Sequence, residues 1–278
     1  MASAQTMSQT FSKALVGKAG QDSMGSPMEI AIIVGAAVIA GAINSIAGGG
    51  TLISFPALVW LGRDPILANA TNTIALWPGS FAGMVGFRKE LASTRRWLFL
   101  LVIPSLLGGI AGAVLLLKTP STTFDGLVPL LILGATLLLA AQEMITRRLK
   151  FIAEAHENPT TGWVVFVFTF QFLVGIYGGY FGAGIGILML AALGLIGMTD
   201  LHQMNGLKNL LAICMNGAAA VYFAISGAVI WQDGLIMALG AIAGGLLGAK
   251  LAHRFGRTFV RRFVVAIGLI MTVAMLVK

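Results

Sequence analysis

A lysine inside an apolar run is the first residue of this sequence that invites a chemical reading. Lys208 lies between Asn205 and Asn209 in MNGLKNLL, early in the apolar stretch 203–226. At that depth it either snorkels to a membrane interface or stands as a buried cation facing a cavity, where an intramembrane charge carries function. Asn72 and Thr73, with Thr71 in ANATNT (Ala68 to Thr73), offer amide and hydroxyl groups to such a pocket. Asn69 and Thr71 equally suit the start of a helix as caps. Two glycine-rich breaks add backbone donors. Residues Gly41 to Trp60 read GAINSIAGGGTLISFPALVW, an apolar run interrupted by Gly48, Gly49 and Gly50, with Asn44 before them and Thr51 and Ser54 after. Gly182 and Gly184, followed by Ile185, repeat the device. Each glycine costs a helix about 1 kcal/mol relative to alanine, and freed backbone is tolerated in lipid only inside protein or beside water. Half-helices beginning at Gly50–Thr51 and Gly184–Ile185 would present unpaired N–H groups with partial positive charge. Two such ends pointing inward make an anion site, and glycine lets a ligand reach the backbone. Tightly packed kinks without a ligand are the alternative. Tyr177, Tyr180, Gln171, Asn44 and Asn216 are further polar candidates, whereas Trp77, Trp97 and Trp231 read as packing or interfacial residues.

What is missing narrows the chemistry. All ten acidic residues fall in the N-terminal tail or near predicted span ends. That argues against a carboxylate proton relay or carboxylate cation site at mid-membrane. His202 and His253 fall in loops and His156 in a linker, so no metal site is expected. No HExxH, nucleotide loop or Ser/His/Asp grouping occurs, so neither an enzyme nor a cofactor is expected. The single Cys214 sits in an apolar helix and reads as a small buried hydrophobe.

The elements that must position these residues cross a membrane. Of 278 residues 58% are hydrophobic and only 10% charged, against roughly 25% charged in a soluble domain, and mean hydropathy is +0.92. The net charge of +8 sits mostly in short loops, where it reports orientation rather than nucleic-acid binding. Residues 1–27 form a polar tail without a signal-peptide core, and Met24 or Met28 would serve as alternative starts. Apolar runs of bilayer-spanning length predict a first membrane unit over 28–146, with spans near 28–47, 66–88, 97–117 and 124–146 and a short limb at 51–62. A cytoplasmic linker, 147–161, leads to a second unit over 162–278, with spans near 162–181, 203–226, 232–251 and 259–277 and a short limb at 185–197.

The two units are related. A shift of 134 residues places Gly41 on Gly175, Gly48 on Gly182 and Gly50 on Gly184; beyond Met198 a shift of 136 places Asp64 on Asp200, Asn69 on Asn205 and Gly108, Gly109 and Gly112 on Gly244, Gly245 and Gly248. Twelve of the eighteen basic residues fall in loops 88–96, 147–150 and 250–262, which predicts those loops inside. Equivalent helices then run in opposite directions, and both termini lie outside, although Lys13 and Lys18 oppose that placement. The expected fold is all-α: a polytopic membrane helical bundle of two inverted-topology repeats, each a Gly-broken helical hairpin plus three spanning helices. The Gly108–Gly112 and Gly244–Gly248 sets, spaced one turn apart, read as helix-packing surfaces.

INSIAGGGTLISFPAL (Ile43 to Leu58), ATNTIA (Ala70 to Ala75) and GIYGGYFGAGIGILML (Gly175 to Leu190), followed by MNGLKNLL, resemble the sulfite exporter TauE/SafE family over about 28–278. The resemblance implies an inner-membrane carrier for sulfur-containing anions such as sulfite, sulfoacetate and other organosulfonates, working outward. Family members often carry Lys directly after Thr-Asn in the first half, where this chain has Thr73; a role for that Lys moves to Lys208. The expectation is therefore a secondary transporter of a small sulfur-containing anion in the lipid bilayer, with homo-oligomerisation open. A channel and a non-transporting scaffold are the alternatives.

Overall fold

The structure is a computed structural model that describes residues 26–46, 49–85, 95–154, 160–198 and 200–277, apart from some helical side chains, those of 248–258 among them. Within the described residues the chain forms nine α-helices and no strand: α1 (Pro27–Ile46), α2 (Thr51–Trp60), α3 (Pro65–Val85), α4 (Arg95–Lys118), α5 (Ser121–Glu154), α6 (Thr161–Tyr180), α7 (Ile185–Leu195), α8 (Leu201–Ile225) and α9 (Trp231–Leu276). Six of them contain stretches long and apolar enough to cross a membrane: α1, α4, α5, α6, α8 and the 259–276 part of α9. The short apolar helices α2 and α7 are the limbs that follow the glycine breaks.

Local chemistry explains most of the boundaries. Asp64 Oδ1 accepts from the Ile66 and Leu67 amides at 3.0 and 3.3 Å and so caps α3. Asp200 Oδ1 accepts from Gln203 N at 3.4 Å at the start of α8. Capping thus belongs to aspartates, and Asn69 and Thr71 lie inside α3 rather than at its cap. Two boundaries differ from expectation. Helix α5 runs to Glu154, eight residues past the expected span end at 146, and α9 is helical through the basic stretch where a loop between 251 and 259 was expected. Both stretches, TRRLKFIAE and LAHRFGR, are rich in good helix formers and lack proline. Charge density marks a membrane face but does not by itself end a helix.

Packing is organised by glycines. The first part of α9 lies along α1, with Gly41 against the Ala241 backbone and Gly244 against the Val38 carbonyl. Helix α4 lies along α6, with Gly108 against Phe172 and Gly175, Gly112 against Ile176, and Gly179 against Gly109. A side chain at these positions would collide with backbone, so the glycines set the interhelical distance, as small residues do in membrane bundles. The 259–276 part of α9 runs antiparallel to α5, linked by an Arg261–Glu143 ion pair of 2.7 Å and by Gly268 against Thr136. Helices α3 and α8 meet through Trp77, whose Nε1 donates to Ile213 O at 3.0 Å and whose ring covers Gly217. Trp77 is therefore a packing residue.

Each broken hairpin returns to the end of the bundle where it began. In the first, Arg63, just past α2, reaches Glu29 in the first turn of α1 (3.4 Å) and Asp233 in the first turn of α9 (2.8 Å). In the second, Trp163 Nε1 at the start of α6 donates to Leu195 O at the end of α7 at 2.6 Å. The Arg63 and Asp233 side chains are only 12% and 7% exposed. Arg63→Ala is expected to lower stability by about 3 kcal/mol because it strands a buried carboxylate. Arg63→Met combined with Asp233→Leu should restore most of the loss in a thermal melt of the detergent-solubilised protein.

Candidate functional site

At the first break, Gly49 takes φ +97°, a backbone conformation that favours glycine. Gly50 follows so close to the Ala40 carbonyl of α1 that a Cβ has no room. Its N–H donates to Asn44 Oδ1 at 2.7 Å, and the next amides turn back on the chain, Leu52 N to Gly49 O and Ile53 N to Gly50 O. The side chains around this end also satisfy one another. Ser54 Oγ donates to Asn72 Oδ1 at 2.5 Å, and Asn72 Nδ2 reaches Thr51 Oγ1 at 3.5 Å; Ser54 and Asn72 are both buried. Thr73 Oγ1 donates to Asn69 O within its own helix at 2.9 Å. The expectation of a bare donor end at Gly50 is corrected: Asn44, six residues back, occupies its amide. Gly48 lies outside the described residues. Ser54→Ala is expected to cost about 1–2 kcal/mol by stranding the buried Asn72 carbonyl oxygen, seen as a lowered melting temperature.

The second break is built differently. Tyr177 OH donates to Ala183 O at 2.7 Å, and the amides of Phe181 and Gly182 both bond Tyr177 O. Gly182 and Gly184 take φ +76° and +72°. Helix α7 then starts with Ile185 N on Gly182 O at 3.4 Å and Ile187 N on Gly184 O at 3.1 Å. The Gly184 and Gly186 amides have no partner among the described residues. Lys208 comes to this open end from α8. Its Cδ lies 3.4 Å and its Nζ 4.0 Å from where a Gly186 Cβ would stand, and Nζ donates to Asn205 Oδ1 at 3.2 Å. Asn209, the next residue of α8, is half-buried.

The breaks converge on α5. Gly49 lies against Leu139 and Gly184 against Ala135, one turn apart on that helix. Phe181 packs edge-on against Phe55 of α2 at 5.4 Å, and Asn69 Nδ2 donates to Tyr180 O at 2.8 Å, tying α3 to the end of α6. Of the candidates from sequence, Asn44, Gly49, Gly50, Thr51 and Asn72 cluster at the first break. Tyr177, Gly182, Gly184, Ile185 and Lys208 cluster at the second. Gln171 lies elsewhere, buried in the α4–α6 seam and bonded to Ser105 at 2.8 Å. Tyr180 points its hydroxyl to Thr119 at 3.4 Å. Ser54 and Asn69 are more central than their sequence context suggested; Ser54, one turn after Gly50 on the face of α2 toward α3, was the available signal.

A bundle of apolar helices of membrane-spanning length, with two broken hairpins that fold back toward a shared interior and a lysine at one break, is the architecture of a polytopic membrane protein. The model of the Sulfite exporter TauE/SafE family matches residues 33–275, and the chain belongs to that family. It is similar to a "Probable membrane transporter protein" of Haemophilus influenzae, 29% identical over 88% of this chain and 94% of the relative. It is also similar to "Probable membrane transporter protein YfcA" of Escherichia coli K12, 26% identical over 91% of each chain. A third relative is "Probable membrane transporter protein YunE" of Bacillus subtilis, 26% identical over 82% of this chain and 90% of the relative. No solved structure matches this chain.

Proposed function

We propose that this transporter carries a small sulfur-containing anion, such as sulfite, sulfoacetate or another organosulfonate, by alternating access across the inner (plasma) membrane, in the outward direction. One observation carries the anion reading. Lys208 lies beside the first turn of α7, where the Gly184 and Gly186 amides have no partner among the described residues. A cation and a helix N-terminus repel each other, because the macrodipole makes that end positive. An anion between them turns both into favourable partners, and oxyanions bind helix N-termini through backbone N–H groups. Outward movement agrees with the negative-inside potential, which favours anion exit by about 2.3 kcal/mol per charge per 100 mV.

Alternating access draws on two inverted-topology repeats meeting at the breaks. The packing supports that reading: α4 with α6 and the first part of α9 with α1 are seamed by glycines at corresponding positions, Gly108 against Gly175 in one, and their counterparts Gly244 against Val38 and Gly41 against Ala241 in the other. The site is then asymmetric. The second break holds the anion, with Asn209 and Tyr177 at its margin, while Asn72 and Asn44 brace the first. Purified protein should gain thermal stability from sulfite, thiosulfate, sulfoacetate or taurine, in a panel that includes sulfate. No gain with any anion would remove the proposal; single-channel currents that rise linearly with voltage would replace the carrier with a channel.

A further inference from the structure

The two breaks leave one loose end. Asn69, 1% exposed, must direct Nδ2 at Tyr180, because a backbone carbonyl only accepts. Its Oδ1 therefore points the other way, and it is fully buried with no hydrogen-bond partner among the described residues. A buried unpaired acceptor costs about 1–3 kcal/mol and calls for a donor or a cation. The related position in the second half shows what suits it. Asn69 corresponds to Asn205 and Asn72 to Lys208 at the same 136-residue shift. Asn205 Oδ1 accepts from the Lys208 ammonium; in the first half the residue one turn on is the neutral Asn72, so the ammonium has no counterpart. Asn69 and Asn72 are three residues apart and share a helix face. Asn72 adds Oδ1, and Ser54, bonded to it, adds Oγ.

We infer that a sodium ion binds at Asn69 Oδ1 in the first half, in the place that the Lys208 ammonium takes in the second, with Asn72 Oδ1 and Ser54 Oγ as neighbouring oxygen ligands. Hard cations take neutral amide and hydroxyl oxygens as ligands, and a monovalent cation needs no carboxylate there. The site rests on the transporter reading, and with the anion moving outward its sodium would travel inward in exchange.

The test uses the full-length protein in detergent with no sulfur anion present. Melting temperature is followed as sodium gluconate replaces N-methyl-D-glucamine gluconate at constant ionic strength, with potassium gluconate as a size control. The expected result is a saturable upward shift with sodium alone, lost in Asn69→Ala. In Asn72→Lys, which supplies the ammonium covalently, the sodium response should also vanish while the protein still melts cooperatively. A sodium curve that superimposes on either control overturns the site, as does an undiminished sodium response in both variants. The outcome is separable from the anion panel. An anion response without a sodium response leaves the transporter reading standing and removes this site; a sodium response without an anion response does the reverse.

Discussion

Lys208→Ala is expected to weaken anion binding about ten- to a hundredfold while leaving the fold intact. The magnitude follows from one charge-assisted hydrogen bond, about 1.5–3 kcal/mol, converted at 1.4 kcal/mol per factor of ten. The lysine is only part-buried and its ammonium bonds the neutral amide of Asn205, a group that water can satisfy in the variant. Flux in proteoliposomes should fall with binding, and Lys208→Arg should recover part of it, since the charge returns with a different shape. Two glycine variants separate the cation from the backbone. Gly186→Ala places its Cβ at ordinary contact with the lysine stem, 3.4 Å from Cδ, and should keep binding. Gly184→Ala adds a side chain at φ +72°, 3.3 Å from Ala135 O, which strains the turn that presents the amides. Binding should fall in that variant although Lys208 is untouched. Equal anion binding in wild type and Lys208→Ala would contradict the site.

The membrane bundle was readable from composition and run length, because bilayer thickness imposes a minimum apolar length on every span. The breaks were readable because glycine clusters have few other uses inside an apolar helix. What was not legible is which polar groups spend their capacity on each other. Asn44 capping Gly50 joins residues that both looked like ligand groups, and nothing in their types says that one silences the other. Asn72 reads as a free donor until Ser54 and Thr51 are seen beside it. The Arg63–Asp233 pair joins residues 170 positions apart, and from sequence Asp233 reads only as one of the acids near a span end. The continuous α9 was missed for a different reason: a basic stretch was equated with a loop, although arginine, alanine and leucine all favour helix. The asymmetry between the breaks is invisible to a shift-matching argument, which rewards likeness. It rests on substitutions such as Lys208 for Asn72 that the match passes over.

The glycine seams carry the largest expected effect on stability. Gly244→Ala should destabilise the protein by about 3 kcal/mol or more, at the upper end of what overpacking costs, because the added methyl would land on the Val38 carbonyl and backbone cannot step aside as a flexible side chain can. Gly108→Ala should behave alike in the other seam, where Phe172 and Gly175 backbone stand in the way. Gly126→Ala and Gly134→Ala, in α5, provide the contrast. A Cβ at either position meets nothing within 4 Å, so the helix should gain up to about 1 kcal/mol from the better helix former. Melting temperature and the yield of monodisperse protein in detergent measure all four. If all four variants lose stability alike, glycine acts through backbone freedom rather than interhelical approach, and the seams are not what sets the bundle. If they split as expected, the same measurement bears on transport. In the proposed alternating access a hairpin tilts around the bound anion against a rigid partner, and each break sits on a helix, α1 or α6, held by such a seam. Variants that loosen a seam should then lose anion flux more steeply than they lose anion binding, whereas Lys208→Ala should lose the two together.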